Sequence, residues 1–309
     1  MKKFLTLFSL IICAPLFAQT DDSNNAAFNP ATANRGGGVG TFIGSITSPP
    51  TGVTGSTPVG LEHDGSGNLL VTEISNDQYF SQSTAGPLVT GPFNVAANNA
   101  NPIGITTDGS TLYLTDTAAS DVDLFDLAGN YLSSFDVSTE TTFPEGITYV
   151  APMNNLFVVD GAGGNKVSEY DLSGNLLNNY PINGSSQDGI AFDDQRCVFW
   201  IYDSGTDLVR SYDSSFTEIE NFPGTGANGF TNGEGVGVIG NSLYVMAPGS
   251  SAIVEFDISL ATPAANAATL CARGTGPAQI VPVNNFYVLA LLSLLLMVFG
   301  AFTARRFQK

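Results

Sequence analysis

The sequence predicts an all-β fold, a β-propeller of five four-stranded blades, plus one C-terminal transmembrane helix. Five similar segments recur about every 43 residues, hairpin signals recur within them, and a lone strand precedes the first repeat. Such a period is typical of propeller blades. Six blades is the alternative, if a degenerate blade lies in the Gly/Asn-rich segments near Ala96 or Thr225.

The five segments share one glycine, and the steps between these glycines are 44, 42, 43 and 46 residues. Because the spacing is nearly constant, each step predicts one supersecondary unit of an array. The shared glycines are Gly60, Gly104, Gly146, Gly189 and Gly235.

The third unit shows how each blade supplies its strands. GITYV from Gly146 predicts the innermost strand, and the apolar run NLFVVD (155–160) predicts a second strand covered on both faces. A third strand ends in EYD (169–171) before Ser-Gly-Asn, which is hairpin chemistry because Asp bonds the turn backbone and Gly and Asn tolerate positive φ. LLNNYPI (176–182) follows as the fourth strand.

The fifth unit ends after its third strand, at about Ser259. The segment GTFIGSITS (40–48) lies before the first unit and has no partner of its own. We expect this N-terminal strand to complete the last blade, which closes the ring and removes open sheet edges. The propeller is expected over residues 39–260.

The charge of the chain excludes one class of function. Between Gly36 and Pro263 there are 26 acidic residues and three basic ones. Nucleic-acid binding is excluded, because its affinity depends on Lys and Arg contacts to phosphate. The acidic surface serves solubility, and divalent cations or basic partners also fit it.

The N-terminus has the form of a secretory signal peptide over residues 1–18. A basic start precedes the apolar run 4–12, and Ala18 is a small residue at a cleavage position. Lipidation at Cys13 is disfavoured, because LIIC lacks small residues before the cysteine. Residues 19–38 are polar and Gly-rich and predict a disordered leader.

Near the C-terminus, residues 261–280 are rich in Ala, Gly, Thr and Pro and predict a spacer. The segment 286–304 has 19 uncharged residues, and at ~1.5 Å each a helix of this length matches a ~30 Å hydrocarbon core. The basic residues that follow place the tail in the cytoplasm by the positive-inside rule.

Residues 281–309 combine the short motif VPVNN, the apolar helix and an arginine pair. This layout resembles the C-terminal sorting signals of Gram-negative bacteria, the PEP-CTERM and IPTL-CTERM type, although Val-Pro-Val replaces Ile-Pro-Thr. The resemblance implies processing by an exosortase-like enzyme. It also implies export to the periplasm, outer surface or extracellular matrix, with a transient or permanent inner-membrane anchor. The sorting residues would be Val281, Pro282, Val283, Asn284, Asn285, Arg305 and Arg306.

Within 57–259, phrases such as PEGITYV and DGIAFD look like those of NHL, SMP-30/gluconolactonase and SdiA-regulated propellers. These motifs mostly encode blade geometry, so the resemblance is specific for fold and weak for function.

Three carboxylates, Glu145, Asp188 and Glu234, directly precede repeat glycines. These positions feed the innermost strands of a propeller and should meet around one mouth of the central channel. Converging carboxylates repel unless a cation lies between them, and Ca²⁺ prefers such oxygen ligands. Val59 and Ile103 leave the ring incomplete, so a solvated acidic rim is the alternative. In SMP-30-like enzymes the matching Glu holds the catalytic metal, which by resemblance implies Glu145; the other family ligands have no match here.

A second acidic column closes the second strands, and we predict that it caps the following turns. Its members are Glu73, Asp116, Asp160 and Asp203. The fifth unit has Ala247 at this position, which breaks the column.

The remaining candidates favour structural roles. The only histidine, His63, lies in a polar turn without a Ser–His or Cys–His motif, which argues against a catalytic triad. Trp200 is expected to pack in a strand. Cys197 in a core strand and Cys271 in the spacer are expected to be free thiols, although export permits a disulfide.

These observations predict an exported envelope or cell-surface propeller with a non-catalytic binding or matrix role. Its partners would be extracellular polysaccharide or surface proteins. The alternative is a Ca²⁺-dependent lactonase/esterase-like hydrolase of the SMP-30 type.

Overall fold

In the computed structural model, residues 37–267 and Cys271 are described, and they form an all-β propeller of five four-stranded antiparallel blades. The fold prediction is confirmed at this level. The predicted signal peptide, sorting motif and transmembrane segment lie outside the described residues. Within residues 37–267, no helix is long and apolar enough to cross a membrane.

Each of the first four blades is formed by four strands consecutive in the chain. Blade one comprises β2 (Pro58–His63), β3 (Asn68–Glu73), β4 (Gln78–Ser83) and β5 (Leu88–Asn94). Blade two comprises β6 (Pro102–Thr107), β7 (Thr111–Asp116), β8 (Asp121–Asp126) and β9 (Tyr131–Asp136). Blade three comprises β10 (Pro144–Val150), β11 (Asn155–Asp160), β12 (Lys166–Asp171) and β13 (Leu176–Pro181). Blade four comprises β14 (Gln187–Asp193), β15 (Val198–Asp203), β16 (Leu208–Tyr212) and β17 (Glu218–Pro223).

Blade five is completed by the N-terminal strand, as predicted. It comprises β18 (Val236–Ile239), β19 (Ser242–Ala247), β20 (Ala252–Asp257) and β1 (Thr41–Thr47). The strand β1 pairs antiparallel with β20 at six positions. The six-blade alternative is wrong, because the segments proposed for a further blade are a loop after β5 and a loop holding the 3-10 helix Gly226–Asn228.

The hairpin between the third and fourth strands uses the predicted turn chemistry. In blade two, Asp126 Oδ1 accepts hydrogen bonds from the backbone N–H groups of Ala128 (2.9 Å) and Asn130 (2.8 Å). Gly129 adopts a φ of 85°, a left-handed conformation that glycine reaches at little cost. The same bonds recur around Asp171 in blade three, so one local motif makes both hairpins.

The repeat glycines bring the innermost strands of neighbouring blades into backbone contact. At each one, an added Cβ would lie within 3.0 Å of backbone atoms of the next blade around the ring. The propeller axis is therefore tightly packed, and the cavity on it has a volume of only about 10 Å³. The contacts run from Gly60 to Ile103, Gly104 to Glu145, Gly146 to Ile190, Gly189 to Glu234, and Gly235 to Leu61.

The chain after β20 returns to blade four, and this overturns the expectation of free thiols. Ala261 and Ala264 are buried against the cluster that joins blades four and five. The Ala264 N–H donates to the carbonyl of Arg196 (3.0 Å). This packing brings Cys271 to Cys197, and the two form a disulfide with their Cα atoms 6.1 Å apart. A 74-residue separation in sequence gave no sign of this contact.

Candidate metal centre at the channel mouth

The three predicted carboxylates lie together at one end of the propeller axis. Glu145 and Asp188 are the second residues of β10 and β14, and Glu234 lies two residues before β18. One carboxylate oxygen of each residue lies within 4.8 Å of the others. Val59 and Ile103 hold the matching positions in blades one and two, so acids from three consecutive blades face an apolar side of the mouth.

The carboxylates are only partly satisfied by hydrogen bonds. Asp188 is 5% exposed, and its Oδ2 accepts from the backbone N–H of Ser204 (2.9 Å). Glu145 Oε2 is buried and accepts no hydrogen bond, although the carboxyl groups of Glu145 and Asp188 lie close enough to share a proton. Gly161 makes room for this carboxyl group, because a Cβ there would lie within 3.0 Å of Glu145 Cδ. The arrangement leaves an acceptor oxygen pointing into a crowded, negatively charged space.

The electrostatics of the mouth favour bound positive charge. Burial raises the pKa of Glu145, and the neighbouring Asp188 raises it further. Burial also raises the pKa of Asp188, and burial together with Asp188 raises the pKa of Glu234 to about 7. Each shift means that the ionised form is destabilised where it stands. Either protons or a cation must relieve this repulsion.

The basic side chains of the described propeller are all engaged elsewhere. Each forms an ion pair with an acid in blade three or four or in the loop between blades two and three. The ion pairs are Lys166–Glu140 (2.9 Å), Arg196–Asp193 (2.8 Å) and Arg210–Glu218 (3.1 Å).

The residues present fit a Ca²⁺ ion. Ca²⁺ is coordinated by oxygen at ~2.3–2.6 Å, so two ligand oxygens on opposite sides of the ion are roughly 5 Å apart. Ligand oxygens that all lie within 4.8 Å of one another fit inside such a sphere. Glu145, Asp188 and Glu234 would hold the ion, and they offset its charge with up to three negative charges.

Sequence reasoning missed a buried carboxylate near the other end of the axis. Glu62 is 2% exposed, and Thr148 Oγ1 of blade three donates to its Oε2 (2.9 Å). Burial raises the pKa of Glu62 to about 6, although His63 opposes the shift. Aligned repeats contain the signal, because the residue two after the repeat glycine is Thr106 in blade two and Thr148 in blade three. Glu62 differs from the threonines at the aligned positions of blades two and three, so it is not part of the framework that the blades share.

The second acidic column caps turns, as predicted. Asp116 Oδ1 accepts from the Ala118 N–H (2.8 Å), and Asp160 Oδ1 accepts from the Ala162 N–H (3.0 Å). Glu73 Oε1 accepts from the Ser75 N–H (2.8 Å). Asp203 Oδ2 accepts from the Thr206 hydroxyl in the following turn (2.7 Å), and its Oδ1 accepts from the Ser186 N–H of the preceding loop (3.1 Å). In these blades the column therefore stabilises the turns of the blade framework.

His63 and Trp200 have the structural roles expected of them. His63 Nδ1 accepts from the Gly65 N–H (3.1 Å) within its turn. Trp200 is fully buried and packs on Phe222, with ring centroids 5.9 Å apart.

Comparison with known proteins adds evidence on the fold and none on the site. No protein-family model matches the chain, and no similar sequence was found among curated proteins. A chain from a nidogen/laminin complex is similar in structure, with 19% identity and a TM-score of 0.50 over 68% of this chain and 79% of that one.

Two lyase structures are more loosely similar. Virginiamycin B lyase from Staphylococcus aureus shows 18% identity and a TM-score of 0.45 over 65% of this chain. The match spans 66% of that lyase chain, slightly less than two thirds of its length. A streptogramin B lyase shows 15% identity and a TM-score of 0.45 over 68% of this chain and 72% of that one. At 19% identity, the likeness to the nidogen/laminin chain extends to the fold alone: the chain has the architecture of a β-propeller.

Proposed function

We propose that this protein is a non-catalytic binding propeller whose channel mouth holds Ca²⁺ between Glu145, Asp188 and Glu234. The observation that carries the proposal is the convergence of three carboxylates from three blades, with one buried oxygen left without a hydrogen bond. The cation offsets their repulsion. Hydroxyl groups of a polysaccharide or carboxylates of a surface protein would complete its coordination.

Calcium is expected to raise the melting temperature of the wild-type protein by about 5 °C or more at saturation, because an ion that binds only the folded state stabilises it. The response should shrink in the double variant Asp188→Asn/Glu234→Gln, here called the mouth variant. Differential scanning fluorimetry with CaCl₂ or a chelator measures both. Asp213→Asn is the control, because Asp213 is a half-buried turn residue of blade four whose Oδ1 accepts from the Ser215 N–H (2.9 Å).

The pH dependence of the melting temperature, measured in the presence of chelator, is a second readout of the same test. A folded-state pKa above the unfolded value of 4.5 means that folding takes up protons. The resulting stability is present below about pH 4.5 and is lost as the pH rises through the folded-state pKa values, near 7 for Glu234. Calcium should remove much of this loss. An equal calcium response in the wild type and the mouth variant would contradict the proposal.

A metal-dependent lactonase or esterase is the second candidate, because the same carboxylate cluster could hold a catalytic metal beside substrate. Turnover of lactone or ester substrates by the purified protein with CaCl₂, lost in the mouth variant, would favour this function. Binding of polysaccharide without turnover would favour the first.

We further propose that the protein is exported and sorted through its C-terminus. The support is the sequence itself, with a signal-peptide pattern over 1–18 and the tripartite layout of 281–309. An exosortase-like enzyme would remove the tail, and an unprocessed protein would stay anchored in the inner membrane.

Intact-mass spectrometry of the mature protein tests this sorting proposal. We expect a form that begins after Ala18 and lacks the tail from about Phe286. Substitution of Arg305 and Arg306 by Gln should leave the tail uncleaved. A mature protein that retains Lys309 would contradict processing.

A further inference from the structure

Blade two contains a second cluster of three carboxylates, separate from the three at the channel mouth. Asp116 is the last residue of β7, Asp121 is the first of β8, and Asp123 lies two residues further along β8. One carboxylate oxygen of each lies within 4.8 Å of the others. All three residues belong to one hairpin, whereas the mouth residues come from three blades.

Two of these side chains have buried oxygens without hydrogen bonds. Asp123 is 1% exposed, and its Oδ2 has no hydrogen-bond partner. Asp121 Oδ1 is also buried and without a partner. Asp116 is held in place, because its Oδ2 accepts from the Ala100 N–H (3.0 Å) while its Oδ1 caps the turn. Unpaired buried acceptors are costly, so these oxygens are suited to coordinating a cation.

The other blades show what usually occupies this space. In blade one, Gln78 Nε2 donates to Glu73 Oε2 (3.0 Å). In blade four, Arg210 Nη2 lies 3.8 Å from Asp203 Oδ2. The residue that corresponds to Asp121 in blade three is Lys166.

Blade two has aspartate at both positions, whereas blades one, three and four each place an amide or a cation at one of them and blade five has apolar residues at both. The residues that correspond to Asp121 are Gln78, Lys166, Leu208 and Ala252, and those that correspond to Asp123 are Phe80, Ser168, Arg210 and Val254.

We propose that Asp116, Asp121 and Asp123 form a Ca²⁺ site that replaces, in blade two, the cationic or amide side chain of blades one, three and four. Oxygen ligands within 4.8 Å of one another fit a Ca²⁺ sphere, in which the ion lies ~2.3–2.6 Å from each oxygen. The bound ion stabilises the hairpin and the loop between β5 and β6, which is attached to the cluster through the Ala100 N–H.

Further acids near the site add to its negative charge. Asp116 lies close enough for its charge to act on Asp77 of blade one, and Asp136 of β9 lies close enough for its charge to act on Asp121. Burial and the two neighbouring aspartates raise the pKa of Asp123 to about 7, while a hydrogen bond from Asn99 opposes this shift. A divalent ion at this site is therefore attracted by five acids, and its binding displaces at most a few protons.

The test uses the full-length mouth variant, purified in detergent, so that calcium bound at the channel mouth does not contribute. Isothermal titration with CaCl₂ should still show one bound ion, and saturation should raise the melting temperature by about 5 °C. Adding Asp123→Asn should weaken this binding at least ~10-fold, because one of three charged ligands is lost. Asp126→Asn is the matched control, since Asp126 ends the same strand and is bonded only within its exposed turn.

A second substitution distinguishes coordination of calcium by the three aspartates from electrostatic repulsion among them. Asp123→Arg supplies the guanidinium found in blade four. It should raise the melting temperature in chelator and abolish the calcium response. If Asp123 variants fail to give a native circular dichroism spectrum, Asp121→Asn, at a less buried position, takes their place.

The proposal is overturned if the mouth variant binds no calcium, or if Asp123→Asn and Asp121→Asn leave the affinity unchanged. If the mouth variant binds calcium and its thermal response to calcium equals that of the wild type, the channel-mouth proposal is refuted and the blade-two proposal stands.

Discussion

Replacing Gly104 with alanine will lower the free energy of unfolding by about 3 kcal/mol or more. The added Cβ would lie within 3.0 Å of the Glu145 carbonyl oxygen, which belongs to the neighbouring blade. Overpacking against a flexible side chain is relieved by rotation, but a backbone atom of an inner strand moves only with its whole blade. Urea denaturation followed by fluorescence measures the loss.

Gly44→Ala is the matched control for this prediction. Gly44 also lies in a strand, yet an added Cβ would meet nothing within 4 Å. This substitution should change stability by less than about 1 kcal/mol, because it removes unfolded-state entropy without a clash. Equal losses in the two variants would mean that backbone contact between blades is not what the repeat glycine provides.

The same contact connects blade packing to the candidate site. Thr115 Oγ1 accepts from the Gly104 N–H (2.7 Å) and donates to the Glu145 carbonyl (2.8 Å). Thr72 makes the equivalent bridge from Gly60 to Ile103. A side chain at Gly104 would therefore displace the residue that supplies the first carboxylate of the channel mouth. Calcium binding should weaken together with stability in this variant.

The sequence predicted the framework well because framework residues repeat. Five aligned segments give the strand order, the hairpin turns and the place of Glu145 from residue spacing alone. Ring closure by β1 follows from counting strands, since one blade lacks a fourth strand and one strand lacks a blade.

What could not be predicted depends on contacts between distant parts of the chain. The partner of Cys197 is set by the path of the chain after β20, which crosses back to blade four through Ala261 and Ala264. No local pattern encodes that path. Glu62 has a similar explanation, because its hydrogen bond to Thr148 crosses the propeller axis between blades.

The aspartates of blade two were missed for a different reason. Asp116 was assigned to the turn-capping column, and that role is real. Asp121 and Asp123 look like ordinary strand residues until the repeats are compared at those two positions, where blade three has Lys166 and blade four has Arg210. Departures from a repeat therefore indicate candidate sites more directly than the repeated residues do.

A chain that begins at Pro50, without β1, is expected to lose the closed propeller. Six paired positions along β20 disappear, at about 1 kcal/mol per backbone hydrogen bond. Gln82, which is fully buried, loses the Thr47 carbonyl to which its Nε2 donates (2.7 Å). Ile46 no longer packs against the cluster that joins blades five and one. The loss amounts to several kcal/mol, a large part of the stability of a typical domain.

The control is a chain that begins at Gly37, which keeps β1. Thermal unfolding and light scattering should show a cooperative monomer for the control. The shorter chain should be unfolded or self-associated, because the open edge of β20 pairs with other strands. A synthetic peptide of residues 37–49 should restore the cooperative transition if the missing contacts are those of β1. A shorter chain as stable and monomeric as the control would show that four blades and an incomplete fifth fold without closure. In that case the N-terminal strand would be an addition to the ring and not a requirement for it.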